Sequence, residues 1–329
     1  MANEAPDAGA AGTVQIGDQT VNRLGFGAMR LTGERRLGPP RDVDEARRVL
    51  GRAVEFGVDF VDTADSYGPG ASERLVGEAL ADDDVLVATK GGFLRNPDSD
   101  WIRHADPDYL VDAVLKSLDR LDVDRIDCYQ LHRPDPDVPL EDSLAALAEC
   151  QDRGLIRHLG VSGVTVEELD RAREQVDVVS VQNAYNVADR SEAPVLEACE
   201  DAGIAFIPYF PLAAGNVAER APALEEVAEA RDATAYQVAL AWLLQRSPVT
   251  LPIPGTSSLS HLEENVAAAA LELTDEEMAR LNGGYPGGHA GRRSCAVSRG
   301  SRAVGAGRSA RGRGRPPPAS RPRRRGSPG

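Results

Sequence analysis

Hydrophobic and polar positions alternate in a regular way along most of this 329-residue chain. Short apolar runs are followed by longer segments whose apolar residues recur at helical spacing. This order is typical of parallel βα units, in which a buried strand precedes an amphipathic helix. The candidate strands are eight runs, at residues 24–28, 58–62, 85–89, 125–131, 156–162, 176–182, 204–209 and 249–254.

The segments between these runs carry helix start and stop signals. Gly57 and Gly154 are expected to end two helices, because glycine tolerates the left-handed conformation that often follows a helix. Ser72 and Thr165 are expected to start two others, since their hydroxyls can accept hydrogen bonds from the first turn. Ahead of the first run, "TVQIGDQTVNRL" predicts a β-hairpin that turns at "GDQ".

Eight strands with intervening helices predict an α/β fold, a (β/α)8 TIM barrel with an N-terminal β-hairpin, over residues 13–285. A doubly wound sheet is the alternative. A dinucleotide-binding sheet of that kind is expected to have a GxGxxG turn after its first strand, and "LGFGAMR" does not contain one. In a barrel, active sites lie at the carboxyl ends of the strands. The chemistry must therefore be sought in the residues at those ends.

Four residues suited to proton chemistry follow three consecutive strands. Asp62 ends the second strand with Tyr67 five residues later, Lys90 ends the third, and His132 ends the fourth. Tyrosine is a poor acid or base at its ordinary pKa of about 10, so a catalytic tyrosine needs a neighbouring cation, which Lys90 could supply. Asp62 could pair with that lysine, and His132 could donate a hydrogen bond to a substrate carbonyl oxygen.

Each of these residues also has a purely structural interpretation. Asp62 could cap the following turn, Tyr67 could pack on the barrel rim, and His132 could be a core histidine. Lys90 is the most informative, because the chain contains only two lysines, Lys90 and Lys116.

Composition narrows the class of protein. No run of eighteen apolar residues occurs, which argues against a membrane span. Residues 1–12 have no basic or apolar signal region and suggest a disordered leader. The four cysteines are scattered without CxxC spacing, so free thiols in the cytoplasm are expected and a zinc site is not.

The charge is unevenly distributed. The net charge is −15, and the segment from Arg292 onward holds twelve arginines and no acidic residue, which leaves −27 for the rest (−15 minus 12). Such an acidic, lysine-poor body suggests a salt-adapted protein, with an ordinary acidic cytoplasmic protein as the alternative. Residues 286–329 are predicted to be a disordered Arg/Gly/Pro-rich tail, either a nucleic-acid arm or, as favoured here, a frameshift or read-through end, because no aromatic residues interleave the arginines.

Taken together, the motifs "DTADSYG", "ATKGG", "LHRPD", "GVSG", "VQNAYN", "PYFPL" and "IPGTSSLSHLEENV" resemble those of the aldo-keto reductases. The resemblance runs from about Val14 to Leu281 and implies a (β/α)8 barrel that binds a nicotinamide cofactor without a Rossmann fold. It implies Tyr67 as general acid, supported by Asp62, Lys90 and His132. Asp65, in the same motif, is interpreted as an ordinary loop residue.

The resemblance also implies a set of cofactor contacts. Ser162 and Gln182 should bind the nicotinamide carboxamide, and Tyr209 should stack on the ring. Gly163 replaces an asparagine usual in the family, which removes one amide contact. The remaining implied cofactor-binding residues are Pro211, Leu212, Gly255, Thr256, Ser257, His261, Glu264 and Asn265.

NADP(H) is the expected cofactor and NAD(H) the alternative. Gly255 and His261 stand where the family often has a cation for the 2′-phosphate, although hydroxyls and helix-start amides can also bind phosphate. We expect a cytoplasmic enzyme that reduces an aldehyde or ketone to an alcohol, as a monomer or modest homo-oligomer without membrane or nucleic-acid partners. The alternative is a cofactor-binding regulatory subunit with little turnover.

Overall fold

The computed structural model describes residues 5–283, and the Arg-rich segment 286–329 lies outside the described residues. The strands in this range are β1 (Thr13–Ile16), β2 (Gln19–Asn22), β3 (Phe26–Gly27), β4 (Phe60–Asp62), β5 (Leu86–Gly91), β6 (Phe93–Arg95), β7 (Trp101–Arg103), β8 (Ile126–Leu131), β9 (Ile156–Ser162), β10 (Val178–Ala184) and β11 (Ala205–Tyr209). The α-helices are α1 (Val43–Glu55), α2 (Ala71–Ala79), α3 (Pro107–Leu121), α4 (Leu140–Asp152), α5 (Val166–Gln175), α6 (Ala193–Ala202), α7 (Val217–Arg220), α8 (Ala223–Arg231), α9 (Ala235–Arg246), α10 (Leu259–Ala267) and α11 (Asp275–Gly283).

Seven strands form one parallel sheet in the order β3-β4-β5-β8-β9-β10-β11, which follows their order along the chain. The eighth predicted strand, residues 249–254, joins both edges of this sheet. The N–H of Phe206 in β11 donates to the carbonyl of Val249 at 2.8 Å, and the N–H of Gly25 before β3 donates to the carbonyl of Pro252 at 3.0 Å. The barrel prediction is thereby confirmed. Pairing stays irregular here because Pro252 and Pro254 have no N–H to donate.

The predicted hairpin is formed by β1 and β2, with Ile16 paired to Gln19 across the turn. Val14, Ile16 and Val21 pack with apolar residues from inside the barrel, among them Phe60 and Leu251. The hairpin therefore closes the barrel end opposite the active site, where the strands begin. A second and larger apolar core lies between the sheet and the surrounding helices.

The helix signals had mixed outcomes. Thr165 caps α5 with a complete capping box, and Gly57 and Gly154 follow α1 and α4 with φ near +78°. The Ser72 prediction was wrong, because α2 begins at Ala71 after Gly70 and has no side-chain cap. Ser72 is instead buried, where its hydroxyl accepts a hydrogen bond from the hydroxyl of Thr63 at 2.8 Å.

The described residues include part of the suggested leader, which corrects the expectation of disorder for residues 5–12. Ala8–Ala11 form a 3-10 turn capped by Asp7, and Ala8 is fully buried. The N–H of Ala8 donates to the carbonyl of Phe56 at 2.8 Å. Among the helices of residues 5–283, none has the length and apolar character needed to cross a membrane.

Candidate active site

The four predicted catalytic residues meet at the carboxyl ends of β4, β5 and β8. Asp62 is the last residue of β4, Lys90 lies near the end of β5, and His132 directly follows β8. Backbone hydrogen bonds fix the loops, because Asp65 N–H donates to the carbonyl of Lys90 at 3.0 Å and His132 N–H to that of Gly91 at 2.8 Å. Parallel strands in register thus place side chains 70 residues apart in sequence at one point, Asp62 and His132 among them.

Lys90 and Asp62 form a buried ion pair. The lysine is fully buried, and its Nζ lies 2.8 Å from each carboxylate oxygen of Asp62. It also donates to the carbonyl of Thr63 at 2.7 Å and to the Tyr67 hydroxyl at 3.5 Å. Burial alone would lower the pKa of Lys90, but Asp62 and Tyr67 more than offset it and hold this pKa above its usual value. The ammonium is therefore kept charged beside the phenol.

Tyr67 is buried, with only 6% of its surface exposed. Burial raises the pKa of its phenol, and the charge of Lys90 lowers it only in part. The expected lowering by Lys90 is present, but burial outweighs it. Tyr67 is consequently a neutral phenol at neutral pH and can act as a proton donor.

His132 is an uncharged imidazole beside Tyr67. Burial lowers its pKa well below the usual value, and the positive charges of Lys90 and Arg133 lower it further. The hydroxyl of Ser66 lies 3.4 Å from Nδ1. If Ser66 donates to Nδ1, the ring proton is on Nε2; in either tautomer the neutral imidazole can donate one hydrogen bond.

The strand ends open into a cavity of about 720 Å³. Lys90 lies behind its wall, and every other predicted site residue lines it: Asp62, Tyr67, His132, Ser162, Gln182, Tyr209, Pro211, Leu212, Gly255, Thr256, Ser257, His261, Glu264 and Asn265. In residues 5–283 no group of three His, Cys, Asp or Glu side chains is arranged to hold a metal ion.

Gln182 connects the predicted catalytic residues to the predicted cofactor-binding residues. Its side-chain amide donates to Asp62 Oδ1 at 2.7 Å and to Gln130 Oε1 at 3.2 Å. Ser162, at the end of β9, and Gln182, in the neighbouring β10, are in register. One face of the cavity therefore has paired polar side chains that are connected directly to the Lys90–Asp62 ion pair.

The far end of the cavity is the start of α10. Ser258 caps this helix, and its Oγ accepts from the N–H of His261 at 3.4 Å. The hydroxyl of Thr256 accepts from the N–H of Ser258 at 3.0 Å. Glu264 accepts a hydrogen bond from the Thr234 hydroxyl at 2.5 Å. Hydroxyls, helix-start N–H groups and a carboxylate thus lie together, and the first two are suited to phosphate.

Several cavity residues were not predicted from the sequence. Arg30 follows β3 and Arg133 follows His132, and both line the cavity with Phe93 and Phe210. Each arginine lies two or three residues after the end of a strand, which is the signal that could have identified it. In a chain with so many arginines, this signal is weak. Trp101 also lines the cavity and belongs to the β6–β7 hairpin.

The barrel has a tyrosine beside a buried lysine at the carboxyl ends of its strands, within the cluster Asp62, Tyr67, Lys90 and His132. This combination of fold and site defines a class of enzyme. A model of the aldo/keto reductase family matches residues 23–285. The chain is 48% identical to an uncharacterised oxidoreductase of Schizosaccharomyces pombe, over 85% of this chain and 92% of the relative. It is 42% identical to pyridoxine 4-dehydrogenase of Escherichia coli, over 82% of this chain and 97% of the relative.

A solved aldo-keto reductase of Klebsiella pneumoniae in complex with NADPH superimposes with a TM-score of 0.72. It is 28% identical and covers 86% of this chain and 96% of its own. These similarities show that the chain belongs to the aldo/keto reductase family and is an oxidoreductase of that type. The resemblance inferred from the motifs is confirmed.

Proposed function

We propose that this protein is an NADP(H)-dependent reductase that converts an aldehyde or ketone to an alcohol, with Tyr67 as the proton donor. The observation that carries the proposal is the buried Lys90–Asp62 ion pair, which contacts the hydroxyl of Tyr67 at the base of the cavity. A fully buried lysine is costly unless it is paired, and buried ionisable groups with shifted pKa values beside a cavity are candidates for a functional site.

The cavity wall fits a nicotinamide ring at one end. Ser162 and Gln182 offer hydrogen-bonding groups, and Tyr209 offers an aromatic face. Glycines allow close approach of the backbone nearby, because a Cβ on Gly255 would lie 2.3 Å from the carbonyl oxygen of Gly27. These residues would hold the ring, and the bound cofactor would supply the hydride.

The other end of the cavity fits the phosphates and the adenosine. Thr256, Ser257 and the first amides of α10 would bind phosphate, and Glu264 and Asn265 would bind the adenine end. NADP(H) is favoured because the Klebsiella structure contains NADPH and because Arg30 adds a cation to the lining. NAD(H) is the alternative.

Each of the four catalytic residues then has its own role in transferring a proton to the carbonyl oxygen. Tyr67 gives its phenolic proton to the carbonyl oxygen, while Nε2–H of His132 donates a hydrogen bond to the same oxygen. The charge of Lys90 stabilises the phenolate that remains, and Asp62 keeps that lysine protonated.

Aromatic rings surround the reacting end, which favours flat aromatic aldehydes as substrates. Phe93 lies edge-on to His132 with ring centroids 4.7 Å apart, and Trp101 lies edge-on to Tyr67 at 6.1 Å. The name of the E. coli relative specifies pyridoxine, a substituted pyridine alcohol. The first carbonyl compounds to test are therefore pyridoxal and benzaldehyde, compared with a short aliphatic aldehyde.

The experiment measures oxidation of NADPH and of NADH with these aldehydes, together with cofactor affinity at low and high salt. Replacing Tyr67 by Phe removes the proton but keeps the ring, so we expect kcat to fall by about 10²- to 10⁴-fold while the NADPH Kd changes little. Near-normal turnover by this variant would exclude Tyr67 as the acid. Binding without turnover in the wild type would instead favour a regulatory subunit, and tighter NADH binding would overturn the cofactor preference.

A further inference from the structure

Arg133 connects three loops at the mouth of the barrel. It follows His132 directly, and its Nη2 donates to the hydroxyl of Tyr209, at the end of β11, at 2.6 Å. Its Nη1 lies 3.4 Å from the carbonyl oxygen of Gly163, in the loop after β9. The guanidinium thus contacts the aromatic side chain expected to stack on the nicotinamide and the backbone next to Ser162.

Gly163 provides the space that this guanidinium occupies. Its φ is +63°, and a Cβ placed there would lie 2.1 Å from Nη1 and 2.5 Å from Cζ of Arg133. Any side chain at 163 would have to displace the guanidinium. Gly163 and Arg133 therefore form one unit, in which a cation occupies the position beside Ser162 where a side chain of residue 163 would otherwise lie.

The charge of Arg133 is not neutralised by a nearby carboxylate. In the described range 5–283, no acidic side chain lies within the 4.0 Å that defines an ion pair with this guanidinium. The carboxylate of Asp62 lines the same cavity, but it is already paired with Lys90. A positive charge in the wall of a cavity acts on other charges there, and it acts more strongly than it would in bulk water.

A nicotinamide ring changes charge when it reacts, since it is neutral when reduced and cationic when oxidised. We infer that Arg133 is a positioning residue of the nicotinamide subsite: it fixes Tyr209 and makes the subsite bind the neutral reduced ring in preference to the cationic oxidised ring. Release of the oxidised cofactor after each turnover would be favoured by the same repulsion. This inference rests on the proposed function.

The test measures Kd for NADPH and for NADP⁺ in the full-length protein by fluorescence and calorimetric titration. In Arg133→Met, we expect the ratio Kd(NADP⁺)/Kd(NADPH) to fall by about tenfold, which corresponds to about 1.4 kcal/mol. Arg133→Lys keeps the charge and should retain most of the ratio. The matched control is Arg153→Met, which removes an exposed arginine paired with Glu149 after α4 and should leave the ratio unchanged.

Tyr209→Phe separates the two roles, because it removes the hydrogen-bond acceptor and leaves the charge. It should weaken both cofactor forms alike without changing the ratio. Gly163→Asn gives a second route to the charge effect, since asparagine tolerates positive φ and its side chain must displace the guanidinium. This variant should also lower the ratio, and it serves if Arg133→Met does not fold.

Two results would overturn the inference. One is unchanged affinity for each cofactor form, and therefore an unchanged ratio, in both Arg133→Met and Gly163→Asn. The other is an equal loss of affinity for both cofactor forms in Arg133→Met, which would show that the arginine is structural only. Failure of the wild-type protein to bind either cofactor would be a different result, because it would contradict the proposed function itself.

Discussion

Asp65 is a buried acid in the loop between β4 and α2, and its protonation should make stability depend on pH. The side chain is 8% exposed, and Oδ2 accepts a hydrogen bond from the Tyr109 hydroxyl at 3.0 Å. Oδ1 is buried and has no hydrogen-bond partner within residues 5–283. Burial, together with the negative charge of Glu73, raises the pKa of Asp65 to about 7.

The size of the effect follows from the difference between the folded and unfolded pKa values. The usual value is 3.8, so the folded protein holds this proton over a window in which the unfolded chain has lost it. The free energy of unfolding should therefore fall as pH rises from about 4 to about 7, by about 1.4 kcal/mol per pH unit. Above pH 7 the loss is complete, at about 4 kcal/mol as an upper bound.

Asp65→Asn removes the titration and keeps the shape of the side chain. We expect the variant to be more stable than the wild type at pH 8, and its advantage to grow by about 2 kcal/mol between pH 5 and pH 7. Urea unfolding at a series of pH values measures this difference. Asp82→Asn, at an exposed turn, is the control for the loss of a surface carboxylate. Parallel curves for Asp65→Asn and the wild type would refute the reasoning.

Two further predictions concern the active site. Lys90→Met should lower the free energy of unfolding by about 3–5 kcal/mol in urea titrations, because it leaves Asp62 buried and unpaired. The control is the other lysine, since Lys116→Met removes only an exposed pair with Asp112. Equal effects of the two substitutions would contradict a buried ion pair. Trp101→Ala should raise KM for an aromatic aldehyde by up to about tenfold with little change in kcat. Ile102→Ala, on the opposite face of the same strand, should leave this KM unchanged. An unchanged KM in Trp101→Ala would show that Trp101 does not line the substrate pocket.

Much of the fold was predictable because it depends on local patterns. The apolar runs identified seven strands of the sheet, and a capping box identified the start of α5. Ser72 shows where such reasoning fails. A serine near a helix start is usually a cap, but here its hydroxyl is needed by the buried Thr63, a contact between side chains nine residues apart. Whether a polar residue caps or packs depends on tertiary burial, which local sequence does not report.

Asp65 shows the same limit within the site. Two aspartates stand three residues apart in one motif; Asp62 was expected to pair with Lys90, and Asp65 was interpreted as an ordinary loop residue. Both are buried, but Asp62 has a lysine beside it, whereas Asp65 has a tyrosine and a second buried carboxylate, Glu73. Their different surroundings depend on β5, α2 and α3, which lie further along the chain. Identical residue types thus acquire different chemistry from neighbours that only the fold supplies.

Arg133 and Gly163 extend this point to function. Residue 163 alone indicates a missing amide contact, and Arg133 alone is one arginine among many in an arginine-rich chain. Because β8 and β9 are adjacent parallel strands, the loops after them meet, and the guanidinium fills the space beside Ser162. A departure from the family pattern at one strand end is therefore accompanied by a side chain from the neighbouring strand end. In a barrel, where each site position can be reached from two adjacent strands, an absent residue should be assessed together with the residue that follows the neighbouring strand.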